Sequence, residues 1–448
     1  MARGMAQLVG AARPLDAVAE SARVDWNESA PEFSLVVPSL QGADGRFDFP
    51  HFWFYSALAA PLVQAASVLG VHVRWAFFGI NLALLLGATA MLRARLAAAS
   101  VMLLVGGPVL WWIDKAHTEV FTWSLVTMAV AALQVAPQWS LVALGIASTQ
   151  NPSFAVVLVL TLTWVTLVQR TNTRSVWMGF VAGLGAAALA PLYYQWRLGI
   201  WSALLVGAIP HRPSVAEFTA VLIDPNIGIL ANDPILLVLL IATAAFLVAH
   251  RREIRCWAPG FYSLVVGIVF LASFSQAANF NSGGTPNPSR YGLWLTALLV
   301  PAAALVEQSS QAFMKVLATG GLIWSLVFFH PHLGDHYLRP TRVATWVWAN
   351  WATADNPLPE VFCERLTGHE GLQELPLATP TCSKVLLSGS GMAGVEWPAN
   401  CPSGEVPMWC RGRGALCYAN RTVGGWQFTK VPEQAGFRYR LREVHEAK

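Results

Sequence analysis

The chain is 448 residues long, 55% hydrophobic and 12% charged, with a mean hydropathy of +0.48. Soluble globular domains carry about twice that charged fraction, so the composition excludes an ordinary soluble domain and indicates an integral membrane protein. A net charge of +4 gives no reason to expect a nucleic-acid partner, and Lys and Arg fall mostly in short connections between apolar runs, where they report topology.

Residues 1–41 contain no apolar core of a cleavable signal peptide. The stretch DGRFDFPHFWFYSALAAP (44–61) then sets an acidic pair, a histidine and an aromatic belt (Phe52, Trp53, Phe54, Tyr55) ahead of an apolar run interrupted at Pro61. Ten further runs fit membrane helices by length: 75–92, 96–112, 120–135, 138–149, 152–168, 176–194, 234–249, 257–274, 291–306 and 313–329. The run at 138–149 is short for a straight crossing. Counting it as a crossing of its own places Arg93, Arg95, Arg170, Arg174 and the Arg251, Arg252, Arg255 cluster on one cytoplasmic face, as the positive-inside rule requires. WIDKAHTE, STQNP, the 195–233 loop, ANFNSGGTPNPSR and everything after His330 then lie outside. Under that topology the 52–70 segment lies along the membrane surface. The rival is an eleventh crossing with the N-terminus inside, which Arg3, Arg13, Arg23 and Arg46 mildly favour.

The tail 341–448 reads as a separate small α+β or β domain, with short strands in KVLLS, GALCYAN and GWQFTKV. Cys363, Cys382, Cys401, Cys410 and Cys417 lie there, enough for two disulfides in any of three connectivities with one thiol left over, and such clustering suits an oxidising compartment. Trp397, Trp409 and Trp426 either fill this domain's core or stack on sugar rings, the core reading being the simpler. HPHLGDHY offers His330, His332, Asp335 and His336 as ligands for a divalent metal, although the spacing matches no zinc signature and interfacial polar residues are the plainer reading.

Five segments in chain order resemble the GT-C superfamily of integral-membrane glycosyltransferases, which use polyprenyl-phosphate sugars. DGRFDFPHFWFYSALAAP is similar to that family's juxtamembrane segment, and WWIDKAHTEVFTWSL to its outer-face TEv-F-S-L helix start. LGIASTQNPSFAVVL resembles its helix break, DPNIGILANDP a loop, and NFNSGGTPNPSRYGLWLTALLVP its Gly-rich loop ending in Arg-Tyr. The resemblance implies an all-α polytopic fold of about ten transmembrane helices plus a juxtamembrane helix. It divides the chain into an outer segment (1–53), a membrane domain (54–340) and an extracytoplasmic, disulfide-stapled domain (341–448). It further implies residence in a bacterial-type inner membrane and transfer of a sugar from a polyprenyl-phosphate donor to a glycan, lipid or protein acceptor on the outer face. The family's first helix has no match in 1–51, and Arg13-Pro14 stands where an acidic-Pro motif is expected, with Asp16 the nearest carboxylate. A relative that binds a lipid-linked glycan without catalysis is therefore the alternative. A transporter is disfavoured by the low polarity of the runs.

Glycosyl transfer needs a general base at the acceptor hydroxyl and cations or hydrogen-bond donors on the departing phosphate. The candidate bases are Asp48, Asp16 and Asp114. Asp48 is otherwise a solvated loop carboxylate, and Thr118 and Glu119 beside Asp114 otherwise serve as ordinary helix caps. The substrate-binding candidates are His51, Tyr55, His117, Glu119, Gln150, Asn151, Asp224, Asn279, Asn281, Arg290 and Tyr291. Arg290 leads as phosphate ligand because a guanidinium forks onto phosphate oxygens, the plain alternative being an interfacial anchor. Lys115, Arg197 and Arg212 are lesser choices.

Overall fold

The computed structural model describes residues 52–203, 214–250, 254–275, 288–329, 339–368, 375–389 and 395–431. The chain forms two compact units. One takes in residues up to 207, 235–270 and 293–334; the other takes in 208–234, 271–292 and the tail from 335.

The first unit is helical. Its elements are α1 (Phe54–Val68), α2 (Arg74–Arg93), α3 (Ala98–Val105), a 3-10 turn (Pro108–Trp112), α4 (Glu119–Ala132), α5 (Pro137–Ser148), α6 (Ser153–Thr163) and α7 (Arg174–Leu198). The helix α8 (Val215–Ile223) belongs to the other unit, and the bundle continues with most of α9 (Pro234–Ala249) and α10 (Ile254–Phe274). The helix α11 (Arg290–Thr296) then leads into α12 (Val300–Ser309) and α13 (Gln311–Phe328). Four helices, Arg74–Arg93, Arg174–Leu198, Arg290–Ser309 and Gln311–Phe328, are long and apolar enough to cross a membrane. Others are shorter: α4 and α5, with 14 and 12 residues, reach about 21 and 18 Å against about 30 Å of bilayer core.

The run expected as one helix over 96–112 is broken. α3 stops at Val105, and Pro108, which has no N–H to donate, opens a 3-10 turn after Gly106 and Gly107. The run at 138–149 is indeed helical, and α5 packs against α7 in the same direction. A Cβ on Gly179 would meet the Gln138 carbonyl oxygen at 2.6 Å, and one on Gly183 the Leu141 carbonyl at 2.5 Å. Only glycine lets these backbones approach so closely.

The orientation of α1 matters for the site. Tyr55 touches Phe77 and Asn81 of α2, while Leu62 reaches 3.7 Å from the Cβ position of Gly79. Residues 55 and 62 lie about 10 Å apart along their own helix, yet both meet α2 within one short stretch. Both contacts of α1 thus fall on residues 77 to 81, the early turns of α2. At the far end, about 30 Å along α2, the Ala97 N–H and Ser100 hydroxyl donate to the Glu307 carboxylate at 2.8 and 2.5 Å, joining α3 to the end of α12.

The second unit contains α14 (Arg342–Asn350), α15 (Pro359–Thr367), a short helix α16 (Met408–Arg411) and an antiparallel sheet ordered β1 (Leu377–Ala378), β2 (Lys384–Ser388), β3 (Leu416–Thr422), β4 (Gly425–Lys430). The three strands expected from sequence are present, with β1 in addition. Alternation along β2 and β3 sends Leu386 and Tyr418 toward Ala344, Trp348 and Phe362, and Val385, Leu387, Cys417 and Ala419 toward the opposite cluster. Trp397 and Trp426 pack together at 5.0 Å against that second cluster, as core residues do. The disulfides are Cys382–Cys401 and Cys410–Cys417, and Cys363 is the leftover, buried thiol.

Candidate functional site

The break between α3 and α4 carries the site. Past the 3-10 turn, the chain from Trp111 to Glu119 is held against the first turns of α2 by one side chain. Asn81, fully buried, donates to the Trp112, Ile113 and Lys115 carbonyls at 3.4, 3.1 and 2.9 Å, while its Oδ1 accepts from the Tyr55 hydroxyl at 2.8 Å. One amide thus links α1, α2 and the loop. Its cost inside an apolar helix is offset by four hydrogen bonds.

The loop presents charge in a compact arrangement. Asp114 is buried, its Oδ2 2.5 Å from the Arg74 guanidinium and its Oδ1 3.0 Å from the Lys115 ammonium. Both carboxylate oxygens are engaged by cations, so the Arg74–Asp114–Lys115 group carries a net charge of +1. Arg74, its side chain 28% exposed, is the open side of this group. The Lys115 ammonium also lies 4.1 Å over the Trp111 ring. Two residues on, His117 packs edge-on to Trp112 at 5.1 Å, and its Nδ1 is 3.5 Å from the Glu119 carboxylate. Glu119 is buried in the first turn of α4, where the helix dipole favours an anion. Thr118 occupies the cap position but makes no side-chain cap bond, so the ordinary-cap reading of Thr118 does not hold.

The helix break at Gln150 joins the same bundle. The Gln150 amide donates to the Phe52 carbonyl at 3.1 Å, fixing the chain just ahead of α1, and Asn151 accepts from the Ser153 N–H and hydroxyl at 3.1 and 2.8 Å. Among the described residues, Gln150 Oε1 and the indole N–H groups of Trp111 and Trp112 meet no hydrogen-bond partner. Other buried polar atoms among the described residues, such as Ser140 Oγ and Ser263 Oγ, share that state, so it does not by itself distinguish this loop.

The fold therefore gathers Tyr55, Asp114, His117 and Glu119 around one loop, with Gln150 bracing α1. Asp224, Arg290 and Tyr291 belong to the other unit. There Asp224 ends α8 and accepts from the Asn226 and Ile227 N–H groups at 2.7 and 3.1 Å. Burial, with Asp355 nearby, raises its carboxyl to about 7. Arg290 starts α11 with its guanidinium 5.4 Å over the Tyr291 ring, and Tyr291 stacks on Phe274 at 4.5 Å. Asp16, Asp48, His51, Asn279, Asn281, Arg212, His330, His332, Asp335 and His336 lie outside the described residues. Among the described residues, no three His, Cys, Asp or Glu side chains converge as a metal set.

Two central residues are absent from the sequence-based candidates, Arg74 and Asn81. Each carried a signal. A lone amide inside FFGINLALLLG is expensive in an apolar helix, and a cation at a helix N-terminus runs against the dipole unless an anion sits beside it. No family model, curated protein or solved structure matches the chain.

Proposed function

We propose that this chain is an integral-membrane glycosyltransferase of the GT-C type, taking its sugar from a polyprenyl phosphate. The observation that carries the reading is the Arg74–Asp114–Lys115 group, a net cation held at one end of an apolar helical bundle beside the His117–Glu119 pair. A polyprenyl-phosphate sugar has its lipid tail in the bilayer and its phosphate at the surface, so its reacting atoms belong at a bundle end. The shorter apolar helices complete a crossing pattern of about ten, with α1 lying along the membrane on the extracytoplasmic face and the tail domain on that same side.

In this mechanism the acceptor hydroxyl attacks the anomeric carbon as the carbon–oxygen bond to phosphate breaks. The phosphate leaves with the electron pair, and Arg74 with Lys115 neutralises its growing charge. The hydroxyl proton passes to the Glu119–His117 pair as general base. Asp114 orients the two cations, since both its oxygens are committed to them. The acceptor is a glycan, lipid or protein of the cell envelope, and a divalent metal is a further candidate, with His330, His332, Asp335 and His336 as its sequence-based ligands.

A second reading, binding of a lipid-linked glycan without transfer, makes the Glu119–His117 pair a structural contact, and the doubly engaged Asp114 leaves no substitute base beside it. Protein in nanodiscs supplied with undecaprenyl-phosphomannose or decaprenyl-phosphoarabinose, together with a cell-envelope glycan and lipid extract as acceptor, separates the two. Release of polyprenyl phosphate, lost in Glu119→Gln, supports the enzyme. Binding of either donor with no release in any variant supports the second reading, and no binding at all defeats both.

A further inference from the structure

Helix α14 has two apolar faces. Ala344 and Trp348 enter the core of the second unit with Phe362, Leu386 and Tyr418. A second stripe, Val343, Trp346 and Trp351, stays exposed at 49%, 50% and 60%. Val343 and Trp346, three residues apart, share one side of the helix, and Trp351 follows at its C-cap. The two exposed indoles meet edge-on, with centroids 4.7 Å apart. Arg339 and Arg342, both exposed, flank the start of this stripe.

Where α14 begins indicates what covers that stripe. The Thr341 hydroxyl donates to the Pro225 carbonyl at 2.7 Å, and its N–H donates to Asn226 Oδ1 at 3.3 Å. The next residue, Ile227, accepts at 2.9 Å from the N–H of Ser289. Ser289 immediately precedes Arg290–Ser309, one of the four helices long and apolar enough to cross a membrane. The same loop leads in a few residues to Pro234, the first residue of the apolar helix α9. The first turn of α14 is therefore tied to residues of its own unit that lead along the chain into two apolar helices. If those helices span a bilayer, this level is the headgroup region, where tryptophan is enriched and arginine stems lie along the lipid while their heads meet phosphate.

We propose that the Val343–Trp346–Trp351 face of α14 is a membrane-surface anchor, inserted at the headgroup–acyl boundary with Arg339 and Arg342 toward lipid phosphates. The proposal rests on the bilayer reading given above. A sugar-stacking role fits the geometry less well, because rings 71° apart offer no continuous flat platform.

The test uses full-length protein carrying Cys256→Ser, reconstituted into vesicles of phosphatidylcholine and phosphatidylglycerol. The background is clean because four of the remaining cysteines are paired and Cys363 is buried. Nitroxide labels are placed one at a time through Trp346→Cys, Trp351→Cys, Val423→Cys on the fully exposed β3–β4 turn, and Val181→Cys on an exposed position of α7. Power saturation then compares oxygen with a water-soluble nickel chelate. The expected result is a preference for oxygen at 346, 351 and 181 and for nickel at 423. Nickel preference at 346 and 351 with oxygen preference at 181 would overturn the anchor while leaving the bilayer reading intact. Labels at 346 and 351 immobilised and shielded from both reagents would overturn it in favour of a protein or glycan occupant. Nickel preference at 181 would remove both.

Discussion

Asn81 is the residue whose loss tells most about how the site is held. Replacing it by leucine, of similar volume, removes the Asn81 oxygen from the Tyr55 hydroxyl and the amide donor from the Lys115 and Ile113 carbonyls. A buried polar group stripped of its partner costs about 1–3 kcal/mol, so the Ile113 and Lys115 carbonyls together cost about 2–6 kcal/mol. In helical membrane proteins single side-chain hydrogen bonds average nearer about 0.6 kcal/mol, because the disordered state also finds partners, which makes the lower end of that range the expected one. The double change Asn81→Leu with Tyr55→Phe removes donor and acceptor together and recovers part of the loss, giving a coupling of about 0.5–3 kcal/mol. Reversible SDS titration in mixed micelles, followed by tryptophan fluorescence, measures all four corners of the cycle. An Asn81→Leu loss below about 0.5 kcal/mol, or a cycle with no coupling, would refute the claim that this amide pins the 111–119 loop.

Three further outcomes follow from the same geometry. Asp114→Ala leaves the largely buried Lys115 ammonium without its counter-ion and is expected to lower stability by about 3 kcal/mol, read in the same titration. Gly183→Val places side-chain atoms against the Leu141 backbone; separation of α5 from α7 is expected, seen as lost protein in a detergent-solubilised thermal challenge, whereas Gly185→Val, which meets nothing within 4 Å, is expected to be tolerated. In the second unit, Asp224 titrates near 7 in the folded chain against 3.8 as its unperturbed value, mainly through burial. The folded state then holds the extra proton between those values, so this group's contribution is complete below about pH 4 and is lost as the pH rises through 7. Lys384, lowered from 10.5 to about 7 by burial, works in the opposite direction and adds stability as the pH rises from 7 toward 10.5. Asp224→Asn keeps an acceptor for the Asn226 and Ile227 N–H groups, so higher protection of the β2–β3 amides at pH 8 and a shallower slope between pH 4 and 7 are expected by hydrogen exchange.

Most of the helical framework was legible because an apolar run of bilayer length has few alternatives to a helix. The run at 75–92 corresponds to Arg74–Arg93 and that at 313–329 to Gln311–Phe328. Reading 96–112 as one helix gave too little weight to Gly-Gly-Pro at 106–108, whose local chemistry breaks a helix whatever the hydropathy. Asp114, His117 and Glu119 stood out as ionisable residues beside an apolar run. Their organisers did not, because Arg74 lies 40 residues and Asn81 34 residues from the groups they hold, and such pairings depend on packing that no local pattern encodes. The disulfides show the same limit: the five tail cysteines allowed three connectivities for each choice of the leftover thiol, and only the turn between α16 and β3 brings Cys410 to Cys417.

The central claim is that Arg74 and Lys115, held by Asp114, receive a lipid-linked phosphate. Binding of undecaprenyl phosphate to the nanodisc-embedded protein, quantified by native mass spectrometry, tests it without requiring the acceptor to be known. Affinity should fall about tenfold or more in Arg74→Met and again in the Arg74→Met, Lys115→Met double variant, as expected when a charge-assisted hydrogen bond worth about 1.5–3 kcal/mol is removed. Unchanged affinity in a double variant that keeps its fluorescence and melting behaviour would contradict the assignment of this group as the phosphate site.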